Sequence, residues 1–195
     1  MAAGGGVHGI LLAAGAGSRF GGGKLLHPIM DGTPIGVESW RNLVSALPDS
    51  VAVVRSGDDR LAEALRAAGA HVEVAPDAHL GMGHSLACAI AATSQAAGWV
   101  IALADMPNLK RETLQAVALE LIRGASIVVP TYRGERGHPV GFSRDHQEAL
   151  LALNGDQGAR SIVQRNAMQT TRLEVDDPGI LLDIDTRADA ERLNR

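Results

Sequence analysis

The stretch VHGILLAAGAGSRFGGGK, residues 7 to 24, joins a short apolar run to a segment rich in glycine. The apolar run predicts a strand, and the glycines predict a turn whose backbone N–H groups can approach an anion without interference from Cβ atoms. Arg19 and Lys24 lie within this turn, where they can neutralise phosphate charge. A flexible turn with two solvated cations is the alternative. The stretch therefore indicates a strand followed by a candidate phosphate-binding turn.

Two common phosphate motifs do not fit this turn. A Walker A loop requires a glycine and a hydroxyl residue at positions where this chain has Ser18 and Leu25. The dinucleotide fingerprint requires its third glycine where the chain has Phe20. The turn therefore belongs to neither motif.

Outside the turn, apolar runs alternate with helical patterns. Strands are predicted at residues 7–12, 51–54, 71–74, 99–104 and 126–129, and helices at residues 37–47, 59–68, 85–97 and 111–123. Such alternation is typical of βαβ units. It predicts a three-layer α/β/α structure with a mostly parallel, Rossmann-like sheet.

The predicted rhythm changes after Pro130. The segment TYRGERGHPVGFS predicts a turn-rich loop with a short strand, and two helical stretches follow around NGDQGAR. The final segment, ILLDIDTRADAERLN, predicts a strand and then a helix whose N-cap is Asp185 or Thr186. Because no linker or repeat interrupts the chain, we expect one domain over residues 1–195, with an irregular insertion at about residues 130–160.

Composition limits the classes of partner. The net charge is -4 and aromatic residues make up 3% of the chain, which disfavours binding to nucleic acid or to an anionic membrane. No apolar run reaches the roughly 18 residues of a membrane span. The lone Cys88 excludes an internal disulfide and any zinc site built from several cysteines. We therefore expect a cytoplasmic protein with no nucleic acid and no membrane as partner.

Acidic residues lie at the ends of two predicted strands. Asp105 follows the strand at residues 99–104, and Asp183 and Asp185 lie in the final strand, on one of its faces. Ligands bind outside the carboxyl ends of parallel strands, and carboxylates together with phosphates suit Mg²⁺. Asp105 and Asp185 are therefore candidate ligands of Mg²⁺, although Asp105 can also serve as a helix cap.

A second glycine turn, LGMGHSLA at residues 80–87, opens a predicted helix with Ser85 as its N-cap. Its backbone can hydrogen-bond the edge of a nucleobase, although a plain helix start is the simpler interpretation. His84 and His138 lack the paired spacing of a zinc site. We expect these histidines to be structural or to contact a substrate.

Together these motifs resemble a known group of enzymes. LAAGAGSRFGGGK is similar to the LAAGxGxRxGxxK signature of nucleotidyltransferases with the nucleotide-diphospho-sugar-transferase fold, and LADMP resembles their metal-binding strand end. LGMGHSLA is similar to their base-reading turn, and DIDT to their second metal position. With RGHPVGFS, GDQGAR and DIDTRAD, the chain most resembles the molybdenum cofactor cytidylyltransferases, from Gly9 to the C-terminus.

The resemblance implies roles for particular residues. Lys24 and Arg19 are implied to be catalytic, and Asp105 and Asp185 to bind Mg²⁺. The implied nucleotide-binding residues are Leu12, Ala13, Ala14, Gly15, Gly17, Lys24, Gly81, Gly83, Ser85 and Asp105. The implied acceptor-binding residues are His138, Pro139, Gly141, Gly155, Asp156 and Gly158.

The resemblance also implies a reaction. CTP would donate CMP to the terminal phosphate of molybdenum-bearing molybdopterin, a phosphate-bearing pterin, to give molybdopterin cytosine dinucleotide and pyrophosphate. Cytosine is expected over guanine, because the related guanylyltransferases read LAGG where this chain has Ala14. One alternative is a sugar-phosphate nucleotidyltransferase of the same fold. Another is a non-catalytic carrier that delivers the cofactor to a client molybdoenzyme.

Overall fold

The computed structural model describes residues 5–15, 17–29, 31–156 and 158–193, apart from the side chain of Ser18. The strands are β1 Val7–Leu12, β2 Pro28–Ile29, β3 Thr33–Pro34, β4 Ser50–Arg55, β5 His71–Ala75, β6 Gly98–Leu103, β7 Ile127–Tyr132, β8 Glu135–Arg136, β9 Val140–Ser143 and β10 Thr170–Glu174. The α-helices are α1 Ile35–Ala46, α2 Asp59–Ala67, α3 Met82–Ala92, α4 Arg111–Ile122, α5 Gln147–Leu151, α6 Arg160–Arg165 and α7 Arg187–Leu193.

In the described ranges, eight strands form one sheet in the order β10-β7-β9-β6-β1-β4-β5, with β8 paired to β7. The pairs β1/β4, β1/β6, β4/β5 and β7/β10 are parallel. Strand β9 runs antiparallel between β6 and β7, and β2 and β3 form a separate antiparallel pair. The prediction of a mostly parallel sheet is confirmed.

Helices cover both faces of this sheet. Because successive side chains of a strand point to opposite faces, Leu11 of β1 packs in a core with α1, α2, α4 and α7, whereas Ile10 packs in a second core with α3, α5 and α6. Val100 and Ile101 of β6 divide in the same way. The three predicted layers are therefore present. None of the described helices is long and apolar enough to cross a membrane.

The prediction of a strand near the C-terminus is wrong. Residues Pro178–Leu181 form a 3-10 helix, and residues 182–186 have no regular secondary structure. The buried carboxylate of Asp177 accepts a hydrogen bond from a backbone N–H of this helix at 2.8 Å, and the N–H of Ile184 donates to the carbonyl of Asp105 at 2.9 Å. The segment is therefore held by the loop after β6 rather than by a neighbouring strand.

The starts of two helices test the predicted caps. Helix α3 begins at Met82, so Ser85 is buried inside the helix and the prediction that it caps the helix is wrong. At α7, the N–H of Thr186 donates to the Asp189 carboxylate at 2.8 Å, and the N–H of Asp189 donates to the Thr186 hydroxyl at 3.3 Å. This reciprocal pairing makes Thr186 the cap, one of the two predicted candidates.

The segment after β7 carries a strand into the middle of the sheet. Arg133 and Gly134, with φ angles of 53° and 84°, form a tight turn between β7 and β8. The chain then returns along β9, where Val140 pairs with Ile101 of β6. Because β9 is antiparallel to β6, His138 arrives at the carboxyl end of β6.

Candidate active site

The carboxyl ends of β1, β4 and β6 form the floor of the site. The loops after β1 and β6 are joined by a hydrogen bond from the N–H of Ala104 to the carbonyl of Leu12, at 3.1 Å. The glycine turn then leads to a short 3-10 helix over Lys24–Leu26, preceded by Gly23 with a φ of 65°. The chain therefore bends back after the glycine turn, and Lys24 lies next to the loop that carries Asp105.

Lys24 connects the glycine turn to two acids from other parts of the chain. Its Nζ atom lies 2.7 Å from Oδ2 of Asp105 and 3.7 Å from Oδ1 of Asp185, and only 11% of its side chain is exposed. The side chain of Arg19 is 76% exposed and donates a hydrogen bond to Oδ2 of Asp185. Water screens the exposed pair more than the sheltered one, so Lys24 has the stronger electrostatic effect.

Three carboxylates are close enough to hold one divalent cation. Asp105, Asp183 and Asp185 each offer an oxygen, and these atoms lie within 4.8 Å of one another. Oδ1 of Asp105 is buried and has no hydrogen-bond partner in the described part of the chain. Such an atom is costly, and a bound cation would satisfy it. These hard oxygen donors fit Mg²⁺ or Mn²⁺, with Asp183 added to the predicted pair.

A cavity of about 510 Å³, which we call the glycine-turn cavity, opens beside this cluster. Its size is that of a small-molecule site. It is lined by Leu12, Ala14, Gly15, Gly17, Lys24, Leu25, Arg55, Ala78, His79, Gly81, Met82, Ser85, Leu103, Asp105 and Asp156. All the predicted nucleotide-binding residues except Ala13 and Gly83 are among them.

A second cavity of about 540 Å³ adjoins the first, and we call it the β9 cavity. It is lined by Leu12, Met82, Leu86, Ile101, Leu103, Arg136, Gly137, His138, Val140, Asp156, Gly158, Ala159, Arg160 and Val163. Leu12, Met82, Leu103 and Asp156 line both cavities and form their shared wall. Of the predicted acceptor-binding residues, His138, Asp156 and Gly158 line this cavity.

Five of the predicted nucleotide-binding and acceptor-binding residues line neither cavity: Ala13, Gly83, Pro139, Gly141 and Gly155. Ala13 is fully buried in the core. Gly141 faces α4 on the other side of the sheet, where an added Cβ would lie 2.8 Å from Cγ1 of Val117. The N–H of Gly83 donates to the carbonyl of Gly155 at 2.9 Å, so these two glycines join the walls of the site.

Four residues that were not predicted as site residues also line the cavities: Arg55, Met82, Arg136 and Arg160. Arg55 is the last residue of β4, so the rule that ligands bind at the carboxyl ends of strands applies to it as well. Arg136 belongs to a two-residue strand and Arg160 begins a six-residue helix. Segments this short have too little periodicity to show where their side chains point.

His138 is a polar residue with a buried ring nitrogen in the β9 cavity. Its Nδ1 atom is buried and has no hydrogen-bond partner among the described residues. Burial lowers the pKa of His138 below its usual value of 6.5, while Asp105 raises it, Arg136 lowers it and Asp183 raises it to smaller extents. The imidazole is therefore neutral at neutral pH and offers one donor and one acceptor.

The chain is similar to known proteins over most of its length. Residues 9–171 match the protein family described as MobA-like NTP transferase domain. The chain is 32% identical to the purine catabolism protein PucB of Bacillus subtilis, over 96% of this chain and 95% of that protein. It is 27% identical to nicotine blue oxidoreductase of Paenarthrobacter nicotinovorans, over 96% of each chain.

Solved structures share the fold. Rv0371c from Mycobacterium tuberculosis has a TM-score of 0.84 and 28% identity, over 96% of this chain and 97% of that one. Another structure of that protein, with a TM-score of 0.78 and 27% identity over 97% and 98% of the chains, is a complex with manganese. A nucleotidyl transferase from Methanothermobacter thermautotroptrophicus has a TM-score of 0.80 at 20% identity over 96% and 95% of the chains. The predicted fold class is confirmed.

Proposed function

Since the chain belongs to the family of MobA-like NTP transferase domains, we propose that it transfers CMP from CTP to the terminal phosphate of molybdenum-bearing molybdopterin. The products are molybdopterin cytosine dinucleotide and pyrophosphate. Family membership supports nucleotidyl transfer, and the choice of cytosine and of a pterin acceptor rests on the resemblance carried by RGHPVGFS, GDQGAR and DIDTRAD. We place the reaction in the cytoplasm, which the lone Cys88 favours.

This proposal rests on the position of Lys24 and the three carboxylates, Asp105, Asp183 and Asp185, beside both cavities. Lys24 and Asp105 line the glycine-turn cavity. Asp105 and Asp183 are near enough to influence the pKa of His138, which lines the β9 cavity. A nucleotide in the first cavity and an acceptor in the second would therefore meet beside the cluster.

In the proposed reaction, an oxygen of the acceptor phosphate attacks the α-phosphorus of CTP. A new P–O bond forms, the bond from the α-phosphorus to the bridging oxygen breaks, and pyrophosphate leaves with the bonding electrons. Gly15 and Gly17 leave the backbone of the turn open to the triphosphate. Lys24 exchanges its contact with Asp105 for phosphate oxygens and offsets the charge that grows on the pyrophosphate. Arg19 acts in the same direction from the exposed side.

The acidic cluster would hold the divalent cation of this reaction. Asp105, Asp183 and Asp185 are the residues that would bind Mg²⁺, which would supply positive charge to the phosphate oxygens. The remaining contribution of the chain is to position two anionic substrates and to exclude water between them.

Three other functions are compatible with the same fold. A sugar phosphate as acceptor would retain the Lys24 cluster and change only the use of the β9 cavity. A carrier that delivers the dinucleotide to a client molybdoenzyme would bind it without turnover. The name of one relative, nicotine blue oxidoreductase, adds oxidation or reduction of a small molecule as a third possibility.

An assay for pyrophosphate separates these functions. In one sample the protein is incubated with CTP, MgCl₂ and molybdenum-bearing molybdopterin. In parallel samples sugar phosphates replace the pterin acceptor. NADH oxidation is followed in a separate sample. We expect pyrophosphate and the dinucleotide in equal amounts with the pterin acceptor. Turnover with a sugar phosphate alone would indicate a sugar-phosphate nucleotidyltransferase. Binding of the pterin without release of pyrophosphate would indicate the carrier. Consumption of NADH alone would indicate the redox reaction.

Matched lysine variants test the chemistry within that assay. Lys24→Gln is expected to lower kcat about 10²-fold, because one donor to the leaving group is lost. Lys110 is the other lysine of the chain, and its Nζ atom donates to the carbonyl of Asp176 instead. Lys110→Gln is therefore expected to leave kcat unchanged. Equal rates for the two variants would exclude Lys24 from the mechanism.

A further inference from the structure

A third, smaller cavity beside β10 adjoins the β9 cavity. This edge cavity has a volume of about 180 Å³, and its walls include Val129, Arg136, Val163 and Arg172. Arg136 and Val163 also line the β9 cavity. The two cavities are therefore adjacent, and together we call them the groove, with His138 in one cavity and Arg172 in the other.

Three guanidinium groups give this groove a positive charge. They belong to Arg136 of β8, Arg160 at the start of α6 and Arg172 of β10, and all three residues are exposed. Within the described part of the chain, none of the three side chains forms an ion pair or a hydrogen bond. Asp156 is the carboxylate residue that lines the groove, and it lies at the wall shared with the glycine-turn cavity. Because the chain carries a net charge of -4, this positive charge is a local feature.

The pairing of β7 explains why two of these arginines face the same groove. Arg136 pairs with Thr131 of β7, and Arg172 pairs with Val129, two residues earlier on the same strand. Thr131 and Val129 point to the same face of the sheet, the face covered by α3, α5 and α6. Strands β8 and β10 flank β7, so the two arginine backbones are about 10 Å apart across the sheet.

We propose that Arg136, Arg160 and Arg172 bind an elongated, anionic acceptor along this groove. Arg136 and Arg160 contact its phosphate end, and Arg172 contacts a second negatively charged or electron-rich oxygen group at its far end. This inference rests on the proposed function, because it assigns a charge and a length to the acceptor of that reaction.

The chemistry of the groove supports such an acceptor. A guanidinium group donates paired hydrogen bonds to oxyanions in a fixed geometry. Val129 and Val163 line the edge cavity together with Arg136 and Arg172, and this apolar lining suits an organic body rather than an inorganic polyphosphate. His138 lines the same cavity near the phosphate end, and its buried Nδ1 atom has no partner among the described residues.

Steady-state kinetics of single variants test this inference. The acceptor probe is molybdenum-bearing molybdopterin with saturating CTP and MgCl₂. We expect Arg136→Gln, Arg160→Gln and Arg172→Gln each to raise the KM for the acceptor about tenfold, with the KM for CTP within about twofold of the original. Arg172→Lys should restore part of the loss, since it retains the charge but not the paired donors.

The matched control lies on the same helix as Arg160. Arg165 is exposed, and its Nε atom donates to the carbonyl of Ser161, within α6. It lines neither the β9 cavity nor the edge cavity. Arg165→Gln removes one positive charge from the chain and should leave the KM for the acceptor unchanged. An equal rise in this control would reduce the effect to general electrostatic attraction and overturn the inference.

Equilibrium dialysis of the same probe without CTP separates this inference from the proposed function. In one outcome, the three arginine variants bind the probe more weakly than the original protein does, and no protein releases pyrophosphate when CTP is added. This outcome would support the groove and overturn the proposed function. Turnover with an unchanged KM in all three variants would overturn the groove and leave the proposed function standing. Neither binding nor turnover by the original protein would overturn both.

Discussion

The two carboxylate oxygens of Asp105 have different surroundings. Oδ2 accepts a hydrogen bond from Lys24 at 2.7 Å, whereas Oδ1 is buried without a partner among the described residues. The backbone carbonyl of the same residue accepts from the N–H of Ile184, which holds Asp183 and Asp185 beside it. A single residue thus joins the cation of the glycine turn to the acids of the C-terminal segment.

Replacement of one acid at a time tests the carboxylate cluster. Asp105→Asn, Asp183→Asn and Asp185→Asn are each expected to weaken Mn²⁺ binding and to lower kcat about 10²-fold, because fewer charged oxygens remain to hold the cation. Binding is measured by the loss of the free Mn²⁺ signal in electron paramagnetic resonance. Asp145→Asn, at an exposed position outside both cavities, is the control. Normal Mn²⁺ binding in Asp183→Asn would remove Asp183 from the cluster.

The methyl group of Ala14 offers a test of base selection. Ala14 lines the glycine-turn cavity, whereas its neighbour Ala13 is buried in the core. A purine needs more room than a pyrimidine, so Ala14→Gly should narrow an expected preference of about tenfold in kcat/KM for CTP over GTP. Ala13→Gly should leave the ratio unchanged. A ratio near one in the original protein would contradict the choice of cytosine.

The start of α3 packs directly on the loop before α6. Gly81 has a φ of 130°, and an added Cβ would overlap the backbone of Gly155 and Asp156. A Cβ on Gly83 would lie 2.8 Å from the backbone of Asn154. Backbone therefore meets backbone at the wall between the two cavities, and glycine at both positions makes this contact possible.

Substitution of Gly81 should disturb both cavities at once. Gly81→Ala is expected to lower the free energy of unfolding by about 2 kcal/mol, because alanine is strained at this φ and its Cβ has no room. The KM values for CTP and for the acceptor should rise together. Gly6→Ala is the control, since its Cβ would come no nearer than 3.8 Å to Asp49. A change in only one KM would show that the two walls act independently. Chemical denaturation and steady-state kinetics provide the measurements.

The junction between β9 and α5 predicts a loss of stability at low pH. Burial lowers the pKa of His146 below 6.5, although Asp145 raises it to a smaller extent, and the ring makes a 2.8 Å hydrogen bond with the Ser126 hydroxyl. The unfolded chain therefore binds more protons than the folded chain as the pH falls. Stability from the neutral ring is present above about pH 6.5 and is lost as the pH falls through the folded-state pKa.

Urea denaturation at several pH values measures this contribution. Between pH 7.5 and pH 5, the original protein should lose more free energy of unfolding than His146→Gln, which cannot titrate at this position. His79→Gln, at an exposed histidine, serves as the comparison and should follow the original protein. Parallel curves for all three proteins would contradict a neutral, buried His146.

The central strands of the sheet connect the two cores. Leu11 of β1 belongs to one core and Ile10 to the other, and β6 divides in the same way. β9 pairs with both β6 and β7, so the strands of the second half are joined to those of the first. Because the same strands supply side chains to both cores, unfolding of one core would also expose the apolar side chains of the other.

This arrangement predicts a single cooperative unfolding transition. Differential scanning calorimetry of the chain should give one peak with equal calorimetric and van't Hoff enthalpies, as expected for one domain. Addition of CTP with MgCl₂ should raise the Tm of the whole peak, because ligand binding stabilises the folded state as a unit. Two peaks, of which only one responds to CTP, would show that residues 130–160 unfold separately.

Local sequence patterns were sufficient to predict the fold class and the part of the site formed by the glycine turn and Asp105. Strand and helix periods, the glycine turn and the acid after β6 are local patterns, since backbone conformation and side-chain chemistry at these positions depend on near neighbours. The prediction of a final strand failed because long-range contacts hold that segment: Asp177 accepts hydrogen bonds from Lys110 and Thr113, and Ile184 donates to Asp105. Local apolar alternation cannot distinguish such an extended segment from a strand of the sheet.

The construction of the β9 cavity depends on long-range packing that the sequence patterns did not predict. Strand β9 lies between β6 and β7, which places His138 near Asp105. Asp183 is brought to the same cluster, and Arg136 and Arg172 come to one groove because both pair with β7. Strand order and register are set by packing between segments far apart in the chain, so no short stretch of sequence encodes them.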